Sequence, residues 1–127
     1  MPLIIALRGE LGAGKSVLAR AIARGAGVST AMPSPTFNLL FSYQTAGAQV
    51  LHFDLYRLES PNEVWELGWS ELGDANQIVL IEWPERAEAL LPPDRWDVAL
   101  TRTEQNPDVR SVGAQRMGSA PDLPEPE

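Results

Sequence analysis

The chain of 127 residues contains no cysteine and a single histidine, His52. A disulfide scaffold, a thiolate metal site, a cysteine nucleophile and a zinc site made of several histidines are therefore excluded. No run of about eighteen apolar residues occurs, so the sequence predicts no membrane-spanning helix. It shows no charged start followed by an apolar stretch and a small-residue cleavage site, and we therefore expect a cytoplasmic protein.

Positive charge is also scarce. Ten basic residues stand against seventeen acidic ones, which gives a net charge of -7. A chain this acidic repels bare nucleic acid unless it carries a local basic stripe, and we find none, so we expect no direct binding to DNA. Arginine supplies all the basic residues but one, and that one lysine, Lys15, lies in a segment rich in glycine.

The rest of the composition suits one domain, because 44% of the residues are hydrophobic and domains typically contain roughly 100–150 residues. We assign this domain to residues 1–117. Residues 118–127 hold three prolines and three acidic residues. We therefore predict a disordered acidic tail for that segment.

Two short apolar runs, Leu3–Leu7 and Gln77–Trp83, predict strands that are buried on both faces, as in a parallel sheet. The other predicted elements are a helix over 16–25, hairpin strands over 37–43 and 49–58, short helices over 60–67 and 84–91, and a strand over 96–101. The pattern fades from Gly113, and no last strand is assigned. This order predicts an α/β domain with a mostly parallel sheet and one antiparallel hairpin edge.

Residues 9–16, Gly-Glu-Leu-Gly-Ala-Gly-Lys-Ser, match the pattern of a phosphate-binding loop in full. Such a loop wraps a polyphosphate with backbone N–H groups, so glycine is needed where a side chain would clash or φ is positive. A plain glycine-rich turn is the alternative, but this motif follows a buried strand and opens an amphipathic helix. We predict a P-loop NTPase-like domain of three layers whose nucleotide contacts are Glu10, Leu11, Gly12, Ala13, Gly14, Lys15 and Ser16.

A phosphate loop needs a second carboxylate for its Mg²⁺ ion, usually at the end of an apolar strand. Glu82 and Asp54 are the candidates, and we favour Glu82 because four apolar residues directly precede it. Asp54 would then orient water or hold a metal-bound water. Either acid could instead be a solvated residue or pair with an arginine. Trp83, adjacent to Glu82, is predicted to lie close to the nucleotide.

The loop at residues 34–37 and the histidine His52 each allow two interpretations. The loop Ser34–Phe37 either senses the γ-phosphate, as switch loops do, or is a turn stiffened by proline. His52 lies beside Phe53 on a predicted strand, and a histidine in that position is more often structural than a catalytic base.

Absent elements narrow the class of phosphate-loop protein. A GTPase needs an Asn-Lys-x-Asp element, which a chain with one lysine in its phosphate loop cannot supply, and the Leu-Ser-Gly-Gly-Gln signature of transporter ATPases is missing. A small-molecule kinase that uses Arg57 or Arg86 remains an alternative, ranked lower because a lid requires additional residues. The other alternative is a nucleotide-gated binding module whose hydrolysis is incidental.

Five motifs, read together over about residues 3–102, resemble the TsaE family, once called YjeE. They are Gly-Glu-Leu-Gly-Ala-Gly-Lys-Ser at 9–16, Ser-Pro-Thr-Phe at 34–37, His-Phe-Asp-Leu-Tyr-Arg-Leu at 52–58, Glu-Leu-Gly at 66–68 and Leu-Ile-Glu-Trp-Pro-Glu-Arg at 80–86. The resemblance implies a bacterial ATPase needed to make N6-threonylcarbamoyladenosine at position 37 of tRNA. It implies ATP hydrolysis that resets a complex of TsaB and TsaD, with tRNA contacted only through that complex.

By motif match, the resemblance implies that Lys15 holds phosphates, that Ser16 and Glu82 ligate Mg²⁺, and that Asp54 lies near the γ-phosphate. Thr36 would belong to the first switch loop. Family members usually carry a further segment before the first strand that helps to cover the adenine, so we expect either a misassigned start or a partly open adenine pocket. Because no arginine is an obvious finger, we predict slow intrinsic hydrolysis that a partner accelerates.

Overall fold

The computed structural model describes residues 2–10, 14–28, 39–102 and 110–122, except for the side chains of residues 102, 110 and 111. The elements are β1 (Leu3–Arg8), α1 (Lys15–Gly25), β2 (Leu40–Gln44), β3 (Gln49–Asp54), the 3₁₀ helices Pro61–Leu67 and Trp69–Glu71, β4 (Gln77–Glu82), the 3₁₀ helix Pro84–Leu90, β5 (Arg95–Arg102) and β6 (Arg110–Met117). No helix within these ranges is long and apolar enough to cross a membrane.

The strands form one mixed sheet in the order β2-β3-β4-β1-β5-β6. The four inner strands run parallel, and the two edge strands pair antiparallel with β3 and β5. The mixed α/β sheet and the β2–β3 hairpin edge agree with the prediction, but the second antiparallel edge does not. The hydrophobic pattern missed β6 because an edge strand needs few buried residues, and its Val112 is 61% exposed.

Alternation along the strands sends apolar side chains to both faces of the sheet. One core cluster joins the sheet to the 3₁₀ helices and includes Ile4, Leu51, Phe53, Val64, Trp69, Val79 and Ile81. The other joins it to α1 and includes Ile5, Leu7, Ala19, Ala23, Val50, Leu80 and Val98. Helical elements therefore cover both faces, which explains why β1 and β4 are continuously apolar.

The predicted strand over 49–58 ends early, at Asp54. A side-chain oxygen of Asp54 accepts a hydrogen bond from the backbone N–H of Tyr56 at 3.1 Å. An aspartate that binds the backbone two residues ahead favours a turn over a strand, so the chain changes direction at the edge of the sheet.

The two short helices predicted after β3 and β4 are present, and both are 3₁₀ helices. The first begins where the backbone N–H of Ser60 donates to Oε1 of Glu63 at 3.0 Å. It ends at Gly68, whose φ of 86° suits glycine. Both helices pack on the sheet face opposite α1.

Residues 118–122 of the predicted tail contact β5 and the loop before it, while residues 123–127 lie outside the described part of the chain, and disorder of the tail as a whole stays a prediction. Ala120 is 6% exposed, and the indole N–H of Trp96 donates to the carbonyl oxygen of Pro121 at 2.7 Å. The backbone N–H of Ser119 donates to Oδ1 of Asp94 at 2.7 Å. Composition alone gives no information about these contacts with β5 and the loop before it.

Candidate functional site

The candidate site lies at the carboxyl ends of the parallel strands, where ligands bind in open α/β sheets. Leu7 of β1 is in register with Glu82 of β4, and Glu82 is in register with Asp54 of β3. The helix α1 begins at Lys15, after the loop that follows β1. Segments that are distant in sequence therefore meet at one edge of the sheet.

The N-terminus of α1 faces this edge and carries positive potential. Gly14 at the N-cap has a φ of 99°, a conformation that glycine adopts at little steric cost. The first turn of α1 contains no acidic side chain, so the unpaired backbone N–H groups and the helix dipole are not neutralised within the helix. An anion is the natural ligand for such a helix end.

Lys15 is buried, with 4% of its surface exposed. Its Nζ donates to the carbonyl oxygen of Gly9 at 2.7 Å and lies 3.2 Å from the centroid of the Trp83 ring. Burial lowers the pKa of Lys15, and nearby carboxylates, with Glu85 first among them, oppose that change. The ammonium is thus held by one backbone carbonyl and one aromatic face, and a phosphate can replace both.

Glu82, the last residue of β4, is 2% exposed. Its Oε1 accepts a hydrogen bond from Oγ of Ser16 at 2.8 Å, and its Oε2 lies 2.5 Å from Nε2 of His52. Burial raises the pKa of Glu82, but the hydrogen bonds from His52 and Ser16 and the charge of Lys15 outweigh that effect and lower the pKa overall. The carboxyl group is therefore ionised at neutral pH.

Asp54 ends β3 beside Glu82, and the two carboxylates differ in environment. Burial raises the pKa of Asp54, and the negative charge of Glu82 raises it further. The hydrogen bond from Tyr56 and the charges of His52 and Lys15 only partly offset this rise. Asp54 therefore binds a proton more readily than an exposed aspartate does, as suits a residue that accepts a proton or orients water.

Trp83 has a strained backbone directly after Glu82. Among the residues that the structure describes, it is the one non-glycine residue with positive φ, at 57°. Its ring contacts both Lys15 and Tyr56, and the centroids of the two aromatic rings are 4.9 Å apart. Strain of this kind persists where the surrounding packing fixes it, and it is concentrated at functional sites.

Most of the predicted site residues come together. Those that meet at this edge are Gly14, Lys15, Ser16, Asp54, Glu82 and Trp83. Glu10 follows β1 and is exposed, while Leu11, Gly12, Ala13 and Thr36 lie outside the described residues. The roles of all these residues in binding and catalysis stay predictions.

His52 is the site residue that sequence reasoning interpreted as structural. It pairs in register with Leu80, so Glu82, two residues further along β4, lies on the same face of the sheet. That face is the one that α1 covers. A signal was available in the sequence. His52 comes two residues before Asp54 on one predicted strand, which places both side chains on the same face of the sheet.

Comparison with known proteins identifies the family. A family model described as threonylcarbamoyl adenosine biosynthesis protein TsaE matches residues 1–112. A Rickettsia felis protein named tRNA threonylcarbamoyladenosine biosynthesis protein TsaE is 43% identical over 110 residues, which are 86% of this chain and 64% of that protein. A Bacillus subtilis protein of the same name is 32% identical over 116 residues, 91% of this chain and 71% of that protein.

The chain is shorter than some of these relatives and spans 64% of the Rickettsia felis protein and 62% of its Rickettsia conorii counterpart. The fold agrees with a solved structure as well. The crystal structure of YdiB from Bacillus subtilis matches with a TM-score of 0.67 and 25% identity, over 92% of this chain and 70% of that chain. By sequence, the chain belongs to the TsaE family of tRNA threonylcarbamoyladenosine biosynthesis proteins.

Proposed function

We propose that this protein binds ATP and Mg²⁺ at the loop Gly9–Ser16 and hydrolyses the ATP during biosynthesis of N6-threonylcarbamoyladenosine in tRNA. The observation that carries the proposal is the 2.8 Å contact between Oγ of Ser16 and Oε1 of Glu82. It joins the hydroxyl in the first turn of α1 to the carboxylate at the end of β4. P-loop nucleotide hydrolases of known mechanism hold Mg²⁺ with this pair of groups.

The donor set fits Mg²⁺. A hydroxyl and a carboxylate are hard oxygen ligands, and adjacent ligands at about 2.1 Å from an octahedral ion lie about 3 Å apart. The two oxygens of Ser16 and Glu82 are already at that spacing. Mg²⁺ usually takes one or two protein ligands and completes its coordination with phosphate oxygens and water. When bound here, the ion would neutralise charge on the β- and γ-phosphates.

The other side chains of the site then have distinct tasks. When ATP binds, the ammonium of Lys15 leaves the Gly9 carbonyl and the Trp83 ring and contacts phosphate oxygens. These oxygens carry negative charge, so the ammonium gains an ionic partner. The N-terminal N–H groups of α1 stabilise the negative charge that develops on the transferred phosphoryl group. Asp54, whose pKa is raised by burial, accepts a hydrogen bond from the attacking water and orients it.

The family's process requires partners, and we propose that homologues of TsaB and TsaD supply them. ATP hydrolysis would reset their complex between turnovers, in the cytoplasm where tRNA is modified. The net charge of -7 suits a protein that meets tRNA through those partners. We expect slow hydrolysis by the isolated chain and faster hydrolysis in the complex, since a partner can complete the site.

The test is release of ADP and phosphate from ATP and Mg²⁺, measured for the isolated chain and again with TsaB and TsaD homologues. Glu82→Gln should lower the partner-stimulated rate at least tenfold, because the metal loses an anionic ligand. Glu59→Gln changes an exposed carboxylate and should leave the rate unchanged.

Other outcomes identify the alternatives. Transfer of phosphate to a small acceptor in preference to water would replace this proposal with a kinase. A Glu82→Gln protein that still supports tRNA modification would show that hydrolysis is incidental to a nucleotide-gated binding module. Absence of ATP binding at millimolar concentration, with and without partners, would contradict the proposal as a whole.

A further inference from the structure

A buried histidine contacts the candidate metal carboxylate and has no part in the hydrolysis proposed above. His52 is 6% exposed, and its Nε2 lies 2.5 Å from Oε2 of Glu82. The other oxygen of the same carboxylate, Oε1, accepts a hydrogen bond from the hydroxyl group of Ser16. The Glu82 carboxylate is therefore held between two donors from two different elements, β3 and α1.

The hydrogen bond has one polarity. A carboxylate that ligates a metal ion is deprotonated and can only accept hydrogen bonds, so the proton of the shared hydrogen bond belongs to Nε2 of His52. This contact fixes the ring orientation of His52 and the rotation of the carboxyl group of Glu82. Both side chains are buried, and solvent therefore provides little competition for the bond.

Packing alone does not account for a histidine here. The neighbouring residues in the cluster under α1 are aliphatic, Val50 and Leu80 among them, and a leucine or methionine would fill the position without burying a polar ring. Polar pairs of this kind are often no more stabilising than apolar residues of similar volume. The imidazole is therefore better explained by its contact with Glu82 than by its volume.

We infer that His52 is a positioning residue, whose Nε2–H holds Oε2 of Glu82 so that Oε1 remains directed at Ser16 and the divalent cation. This inference rests on the proposed function, because the cation belongs to it. Groups that hydrogen-bond to a metal ligand typically change metal affinity by about tenfold to a hundredfold when they are removed. The expected effect is thus on the metal, and nucleotide phosphates should still bind the loop and α1.

The test compares His52→Met with His52→Gln. The two introduced side chains have similar length and volume, but only glutamine retains an N–H donor for Glu82. Mn²⁺ binding to the ADP complex is measured by electron paramagnetic resonance, and ADP binding without metal is measured by fluorescence. We expect His52→Met to weaken Mn²⁺ binding about tenfold to a hundredfold, with metal-free ADP affinity unchanged, and His52→Gln to restore most of the loss.

Three results would overturn the inference. Wild-type Mn²⁺ affinity in His52→Met would show that the hydrogen bond does not position the ligand. A parallel loss of Mn²⁺ and metal-free ADP binding in His52→Met would show a general structural role. Equal Mn²⁺ affinity in His52→Met and His52→Gln would show that the N–H donor makes no difference. If His52→Met does not fold, His52→Leu takes its place in each comparison.

Failure of the proposed function has a different signature. In that case the wild-type protein itself would bind no Mn²⁺ in the presence of ADP, whatever residue occupies position 52. That result would overturn both the inference and the proposal. A wild-type protein that binds Mn²⁺, with a His52→Met variant that binds it equally well, would overturn the inference alone.

Discussion

At the scale of single residues, three buried ionisable side chains are tolerated because each has a partner. Lys15, His52 and Glu82 are all less than a tenth exposed, and a buried charge without a partner would be expelled or neutralised. Here a carbonyl and an aromatic face hold Lys15, while His52 and Ser16 hold Glu82. The contacts of Lys15 and the contact between Ser16 and Glu82 can be exchanged for a ligand, so these groups already lie in position for binding.

The Lys15–Trp83 contact predicts a fluorescence signal. Binding of a phosphate should draw the ammonium away from the indole ring, which lies 3.2 Å from it, and should change the tryptophan emission. Trp83→Phe should abolish that change. Trp96→Phe is the matched control, because Trp96 contacts Arg116 and Pro121 at the other end of the sheet. Loss of the signal in Trp96→Phe and its retention in Trp83→Phe would contradict the assignment.

Asp54 predicts a pH-dependent stability effect. Because its pKa is raised in the folded protein, the charged form opposes folding above that pKa, and the penalty disappears as the pH falls through it. Asp54→Asn keeps an oxygen for the Tyr56 N–H and removes the charge. We expect this variant to have a higher melting temperature than wild type at pH 7, and we expect the difference to shrink as the pH falls. The same substitution should abolish hydrolysis.

Thermal unfolding measured by circular dichroism across the acid range tests this sign. Glu82 supplies the contrast, since its pKa is lowered and its charged form supports the fold until the pH falls through that value. Glu82→Gln should therefore lower the melting temperature at pH 7. A lower melting temperature in Asp54→Asn at pH 7 would contradict the raised pKa.

At the scale of elements, one tryptophan helps to attach the 3₁₀ helices to the sheet. Trp69 is 5% exposed and packs edge-to-face on Phe53, with ring centroids 5.1 Å apart. Its indole N–H donates to the carbonyl oxygen of Leu90 at 2.8 Å. Trp69 therefore joins two 3₁₀ helices, and the second of these begins directly after Trp83.

Trp69→Ala should cost about 3–5 kcal/mol of unfolding free energy, as for other large aromatic residues removed from a core. Trp65→Ala is the matched control, because Trp65 lies in the neighbouring 3₁₀ helix but is 50% exposed. It should change stability by less than about 0.5 kcal/mol. Urea denaturation measures both, and equal losses in the two variants would show that Trp69 does not hold these helices in place.

At the scale of the whole molecule, the segment after the last strand turns back and packs against β5 and the loop before it. Gly118 follows β6 with a φ of 61°, and a Cβ there would lie 2.8 Å from the carbonyl oxygen of Pro93 and 2.3 Å from Oδ1 of Asp94. Glycine lets the backbone pass this loop closely, so that residues 119–121 reach β5.

Gly118→Ala should therefore destabilise the protein by about 2 kcal/mol, since it combines an unfavourable φ with a backbone clash. Gly113→Ala, on the exposed face of β6, has no atom within 4 Å of the added Cβ and should be close to neutral. Chemical denaturation of both variants is the measurement. A neutral Gly118→Ala would mean that the segment after β6 contributes little to the fold.

The places of two candidate site residues in the fold could be predicted from local patterns, while their roles stay predictions. Glu82 ends β4 and Lys15 opens α1, and both positions are readable from the run of hydrophobic residues and the glycine pattern before them. The partner of Glu82 could not be predicted with the same ease. His52 reaches it only because β3 and β4 are parallel neighbours in a particular register, and that register is set by long-range pairing.

The sequence by itself determined the two buried parallel strands, the hairpin edge and the family, and it predicted the phosphate loop. These features depend on the order of residues within short segments and on hydrophobic periodicity, and both can be read directly from the sequence. The tertiary structure alone decided the second antiparallel edge, the packing of residues 118–122 and the His52–Glu82–Ser16 contacts. Each of these joins residues far apart in the chain, and their pairing is fixed by burial and hydrogen bonding in three dimensions.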